Sequence, residues 1–336
     1  MIPGDGAEAR ARRAWADLHD SFMLRRGGGQ LLVMDGQGDQ AGICPLRPLA
    51  QVLAAALDLD RLDARPSIAA SEPIRTRTRG RVRRPARTSP SLDELADKLE
   101  LYRWGDGYAD YPGTDTVSIA DNTLVALDAL QAHMQLSPPV ADSLWLHKAK
   151  RTFEVVAAEG PDHRDAAAVE LALRLHLATG IERFLSIATQ IDQIDQVEQT
   201  DQVDVDQVDV DHGASVGAEV LWWRVTQDRT RLDRAVALGA AALDRLAAAD
   251  RLWRRAPVDN ATLFVNLLLV HGVESQPRVL AELDRYLERV WREARDPATG
   301  QFTAGGIGRT HDRGHTLDHA AIVQLFARQA FPADPT

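Results

Sequence analysis

Apolar residues recur three or four positions apart along most of the chain. That spacing belongs to helices with one buried face. It predicts twelve helices, at 8–25, 46–60, 91–102, 120–135, 139–158, 165–179, 181–190, 213–226, 229–248, 260–271, 276–295 and 315–330. Two stripes are especially regular: Val279, Leu280, Leu283, Leu287, Val290, Trp291 and Ala294, and Leu232, Ala235, Val236, Gly239, Ala242, Leu243 and Leu246. Arg, Asp and Glu occupy the opposite faces. Start and stop signals agree with these bounds. Ser91-Leu92-Asp93-Glu94 reads as a capping box, Asp228 as an N-cap, and Asp296-Pro297-Ala298-Thr299-Gly300 as a stop. Gly27-Gly28-Gly29 reads as a second stop. Short links between successive helices predict antiparallel hairpins. No period of 20–50 residues repeats, which argues against a solenoid.

Two segments interrupt the pattern. Arg75 to Arg87 carries seven arginines and no acid, and Gln190 to Asp211 carries eight acids and no base in Asp-Gln-Val-like triplets. The acidic triplets are too regular for a packed element, and both segments read as low-complexity loops, at 71–90 and 190–211, within one domain spanning 1–336. The arginine segment lacks interleaved aromatics for stacking on bases. The acidic segment lacks the glycine and glutamate of a calcium loop.

Composition narrows the picture. Ala and Leu dominate and aromatics make up 5%, which favours helix over sheet. A formal charge of −10 over 336 residues argues against nucleic acid as a partner. The lone cysteine, Cys44, forms no intrachain disulfide and reads as a small buried residue. The N-terminus, Met1 to Arg13, lacks the apolar core of a signal peptide, and no apolar run is long enough for a membrane span, so the expectation is a cytoplasmic protein with no membrane partner.

Several separate stretches resemble glycoside hydrolase family 76, the endo-α-1,6-mannanase-like proteins. They are Cys44 to Leu59, Leu101 to Tyr108, Ala168 to Gly180, Gly213 to Asp228, Asp259 to Leu269, and Leu317-Asp318-His319-Ala320-Ala321. Their order and spacing carry the resemblance from about 8 to 331, outside the two low-complexity loops. It implies an all-α fold, an (α/α)6 barrel of six inner and six outer helices, and no cofactor or metal. The implied reaction is hydrolysis of α-mannosides with retention. One aspartate of a consecutive Asp-Asp pair attacks the anomeric carbon, and the next protonates the leaving oxygen. Carried onto Ile119-Ala120-Asp121-Asn122, the nucleophile position is Ala120 and the acid/base is Asp121. An alanine methyl forms no glycosyl intermediate. The sugar-contacting positions implied are Trp104, Tyr108, Tyr111, Asn122, His212, Asp259, Asn260 and Asp318. The chain departs from the family pattern at three further places: Leu124, Gly160 to Asp165, and Val210-Asp211-His212-Gly213.

Local chemistry offers competing roles. Ser118-Ile119-Ala120-Asp121 fits a second capping box, in which Asp121 serves the helix rather than a sugar. Asp106, Asp110 and Asp115 are nearby acids that read as polar loop residues or as replacement nucleophiles. Adjacent Trp222 and Trp223 must point in different directions, one into the core. His311, His315 and His319 are spaced by four, but with no His-Glu-x-x-His arrangement they read as packing or capping residues. The expected function is therefore a family 76-like protein whose activity is impaired or lost at Ala120, with a mannose-containing oligosaccharide as ligand. The alternative is a non-catalytic helical barrel that binds a glycan or a protein.

Overall fold

The computed structural model describes residues 6–25, 31–35, 42–64, 90–135, 143–158, 166–198, 212–247, 250–302 and 316–331. The glycine run at 27–29, the arginine segment 75–87, the stretch 160–165, and His311 and His315 lie outside them.

Apolar periodicity becomes helix along nearly all of the described chain. The helices are α1 (Ala7–Phe22), α2 (Leu46–Ala64), α3 (Leu92–Leu99), α4 (Ile119–Gln135), α5 (Leu144–Ala158), α6 (Ala166–Thr179) and α7 (Glu182–Glu198), followed by α8 (His212–Thr226), α9 (Arg229–Ala247), α10 (Arg251–Arg254), α11 (Pro257–Val273), α12 (Pro277–Arg289) and α13 (Thr316–Gln329). The capping box forms as expected. Ser91 Oγ accepts the Glu94 N–H at 3.2 Å, and the Glu94 carboxylate accepts the Ser91 N–H at 2.9 Å. Asp228 takes the Thr230 N–H at 2.9 Å and starts α9.

Six helices, α2, α4, α6, α8, α11 and α13, pack each against the next, and α13 closes back on α2. Outside them, α1 covers α13, α3 covers α2, α5 covers α4, α7 covers α6, α9 covers α8, and α12 covers α11 and α13. This closed double ring is an (α/α)6 barrel. Burial separates the two layers. On α12 only Val279, Glu282, Leu283, Tyr286 and Leu287 are buried, a one-sided stripe. On α13 every residue from His319 to Arg328 is buried. A helix apolar or buried all round belongs inside. Each leucine moved from water into this core contributes roughly 1.5–3 kcal/mol.

Some elements differ from the expectations. The chain after α1 is not helix but strand: β1 (Met23–Arg25) pairs antiparallel with β2 (Leu31–Asp35), which pairs with β3 (Gly42–Ile43). A second hairpin joins β4 (Arg103–Trp104) to β5 (Gly107–Tyr108). The acidic repeat is not a loop from its start. α7 continues to Glu198, because Ile191 is buried and Asp192 pairs with Arg231 of α9 at 2.7 Å. The remainder of the repeat, 199–211, is outside the described residues. The 276–295 helix ends in a wider π turn, Val290–Ala294. Cys44 is fully buried, and burial pushes its thiol up to about 12. His319 packs between Phe22 and Phe302, with its ring hydrogen bonded to the Ala14 carbonyl at 3.1 Å. Among the described residues no helix is long and apolar enough to cross a membrane.

Candidate functional site

Alternation of inner and outer helices makes the inner six run the same way round the ring. Their N-termini therefore gather at one end. Across that end lies the segment 109–118, pinned by three backbone hydrogen bonds. Ala109 N–H donates to the Tyr102 carbonyl at 2.8 Å, Asp110 N–H to the Thr116 carbonyl at 2.8 Å, and Leu46 N–H, at the start of α2, to the Asp110 carbonyl at 2.9 Å.

The start of α4 is built on Ser118. Its hydroxyl accepts the Asp121 N–H at 3.2 Å, half of the expected capping box. The other half is taken over: the Ser118 N–H donates to Asp110 Oδ1 at 3.0 Å rather than to Asp121. Asp121 is thus relieved of the reciprocal capping bond that its sequence suggested. Its side chain is half-buried, and burial raises its carboxyl above the usual range. Nearby Arg47 opposes that shift, the Asp110 charge reinforces it, and a hydrogen bond with Ser118 opposes it again. The net effect favours the protonated acid, the form a proton donor needs. Ala120, beside it, is exposed.

Asn122 is wholly buried, and three hydrogen bonds account for its amide. Oδ1 accepts the Tyr108 N–H at 2.8 Å, and Nδ2 donates to the carbonyls of Tyr108 at 2.8 Å and Ser118 at 2.9 Å. This clamps the β4–β5 hairpin to the first turn of α4. Gly107 makes room for it, since a Cβ there would stand 2.7 Å from Asn122 Oδ1. Tyr108 is also fully buried. Its hydroxyl accepts from Arg103 at 3.2 Å, and the guanidinium lies 4.5 Å from the ring centre.

The other expected contacts are spread over the same end. Tyr111 and Trp104 are both exposed. Trp104 adjoins the hairpin turn that Arg151 of outer helix α5 holds through Asp106 at 2.9 Å and the Gly105 carbonyl at 3.0 Å. Asp106 is thus committed to an ion pair with Arg151, and Asp115 stays exposed in the crossing segment. Asp259 is half-buried in the first turn of α11. Asn260 is turned outward and fully buried, donating to the Leu252 carbonyl at 2.8 Å. Asp318 lies near enough to the Tyr286 hydroxyl of outer helix α12 to help raise it. His212 opens α8, and its side chain is outside the described set. Trp222 is buried, whereas Trp223 is only partly so.

From Leu124, one turn below Asp121, a partly open cavity of about 510 Å³ runs between the inner helices towards their C-terminal ends, where Ala64, Gln135 and Ala178 line it. Its wall mixes aliphatic residues such as Leu127, Leu221 and Leu269 with polar and charged ones such as Glu170, Arg174 and Asn266. A buried polar network crosses it at the seam of the ring. Asp58 of α2 accepts from Gln131 of α4 at 2.9 Å, and from Gln324 and Arg328 of α13 at 3.1 and 2.7 Å. Asp128 sits beside it. Burial, and then the Asp58 charge, push its carboxyl well above the usual range, with Arg328 opposing. Arg47, Asp58 and Asp128 were not expected as site residues. Acids inside otherwise apolar helices, as in Leu57-Asp58-Leu59, are the signal that could have singled out the latter two.

No family model matches the chain, and no curated protein matches it in sequence. Solved structures do match. A family 76 glycoside hydrolase (mannosidase) from Bacteroides thetaiotaomicron VPI-5482 aligns over 96% of this chain and 98% of its own, at TM-score 0.74 and 12% identity. An α-1,6-mannanase from Salegentibacter sp. HEL1_6 aligns over 97% and 99%, at TM-score 0.69 and 12% identity. The chain has the family 76 fold. A variant of the Salegentibacter enzyme, with two consecutive aspartates replaced by alanine, is inactive and was solved with α-1,6-mannotetraose. It aligns at TM-score 0.70 and 12% identity, over 98% of this chain and 100% of its own. The family 76 fold thus aligns over nearly all of this chain, with the Ser118–Asn122 turn at the N-terminal face of the inner ring.

Proposed function

We propose that the N-terminal end of the ring binds α-1,6-linked mannosides and has lost the retaining hydrolysis of family 76. The observation that carries this reading is the exposed methyl of Ala120 directly before the half-buried acid Asp121. A retaining glycosidase needs a carboxylate nucleophile about 5–5.5 Å from its acid, and a methyl cannot take that part. The Salegentibacter variant supports the other half. With both neighbouring aspartates changed to alanine, that protein still holds a mannotetraose. Loss of carboxylates removes turnover there without removing the ligand. In this chain Asp121 keeps an acid's protonation preference, and exposed Tyr111 offers a ring face for stacking on a sugar.

The test is calorimetric titration with α-1,6-mannotriose, together with turnover of an aryl α-mannoside by the natural chain and by Ala120→Asp. Binding by both proteins, with α-configured product released by Ala120→Asp only, is the expected result. Absence of mannoside binding by either protein would defeat the reading, as would retention of configuration by the natural chain.

A further inference from the structure

The cavity between the inner helices reaches the end of the ring opposite the Ser118–Asn122 turn. Its 510 Å³ falls within the roughly 300–1,000 Å³ of small-molecule sites. Asp128 lines it and is 9% exposed, yet among the described residues it makes no hydrogen bond. Its polar neighbours are spent on Asp58. Gln131 donates to Asp58 at 2.9 Å and accepts from Arg328 at 3.3 Å. Gln324 donates to Asp58 at 3.1 Å and accepts from Gln51 at 2.8 Å. Arg328 itself holds Asp58 at 2.7 Å. Two neighbouring carboxyls thus depend on one guanidinium, and Asp58 has it. Of the other charged groups on the wall, Glu170 pairs with Arg174 at 2.8 Å, and Asp60 and Arg61 of α2 and Arg224 of α8 complete the set. A buried acid without a counter-ion is costly to ionise, and burial and the Asp58 charge do raise Asp128 well above the usual range. A cation brought from outside would offset both causes.

The surroundings select the kind of cation. A metal ion needs several oxygen ligands, and no group of three or more His, Cys, Asp or Glu that could hold one occurs among the described residues. Leu124, one turn before Asp128 on α4, lines the same cavity, with Leu221 and Leu269 from α8 and α11. These side chains suit an alkyl body. Phe331 is the only ring among the described lining residues, and the Arg61 guanidinium lies over it at 4.7 Å, so the wall offers a sugar little to stack on. We propose that this cavity binds a small primary amine with an apolar body, its ammonium on Asp128 and its carbon chain along the leucines. The ammonium donates to the Asp128 carboxylate, whose proton passes to solvent. Asp128 lies seven residues, about 10 Å, along α4 from Asp121. The amine site is therefore independent of mannoside binding at the other face.

Calorimetric titration of the full chain with n-hexylamine, n-hexanol and hexanoate tests this, because the three share a chain length and differ in charge. The amine is expected to bind at least about 10-fold more tightly than the alcohol, as a hydrogen bond between charged groups requires. Asp128→Asn keeps the shape of the acid and removes its charge. It should bring the amine down to the affinity of the alcohol and leave the alcohol unchanged. Asp128→Leu should do the same, and the urea midpoints of both variants are measured alongside. A variant that merely misfolds loses the alcohol as well, whereas loss of the amine alone supports the proposal. Equal affinity for amine and alcohol in the natural chain would overturn the ammonium site, as would undiminished amine binding by either folded variant. Hexanoate binding ahead of the amine would assign the cavity to its arginines instead. No binding of any of the three would overturn the cavity as a ligand site.

Discussion

Replacing Asn122 by alanine separates a structural from a sugar-binding role at a position next to the candidate acid. The side chain is 0% exposed and makes three hydrogen bonds of 2.8–2.9 Å to main-chain groups. Alanine leaves the Tyr108 N–H, the Tyr108 carbonyl and the Ser118 carbonyl without that partner. At roughly 1 kcal/mol for each lost bond, the cost is about 3 kcal/mol, or about 150-fold in the folding equilibrium. Water cannot readily take over, because Tyr108 is itself buried. The assay is urea unfolding followed by far-ultraviolet circular dichroism, with exposed Asp115→Asn as a control expected to shift stability by under about 0.5 kcal/mol. Mannotriose binding by Asn122→Ala, measured well below its urea midpoint, should weaken only through displacement of the Ser118 turn. A loss of stability below about 1 kcal/mol with an unchanged m-value would refute the clamp and return Asn122 to the list of sugar contacts.

Two further outcomes concern pH. Asp128 has a folded-state pKa above its unfolded value, through burial and the neighbouring Asp58 charge. Its stabilising contribution is complete below about pH 3.9 and is lost as pH rises through the folded value. Asp128→Asn should therefore flatten the dependence of the urea midpoint on pH between 4 and 8, and identical slopes in the two proteins would contradict this. The His319 imidazole is driven down to about 3, chiefly by burial, so its contribution is present above about pH 6.5 and is lost as pH falls towards 3. Its ring resonances should not titrate between pH 5 and 8 in the folded protein, and an inflection near 6.5 would show that the ring is not buried.

The outer layer was largely legible in the sequence, because a helix half in water records its buried side as a stripe. Val279, Leu283 and Leu287 name the inner face of α12 without any structure. Inner helices were legible as helices but not as inner ones, because α11 buries apolar residues on every side and its pattern points nowhere. The far end of α7 was hidden. Its composition is that of a polar repeat, and the partner that holds Asp192 is Arg231, 39 residues away. At the candidate site, Asp121 and the alanine at position 120 could be read from neighbouring residues. The diversion of the Ser118 N–H to Asp110 could not, since it depends on a backbone path eight residues long. The Asn122 clamp was hidden for a related reason: its partners are main-chain atoms, and side-chain patterns carry no record of those.

Sealing the ring is a late event in the life of the polypeptide. Thr316 reaches back to the Met34 carbonyl and His319 to that of Ala14, over 282 and 305 positions. During synthesis α1 and α2 leave the ribosome long before α13, and their apolar faces wait for it. Until it arrives the nascent molecule is an open horseshoe with greasy edges. Contacts this remote in sequence form slowly, and the exposed edges invite aggregation. Yield in a cell should then depend on chaperone capacity more than on the strength of any single helix.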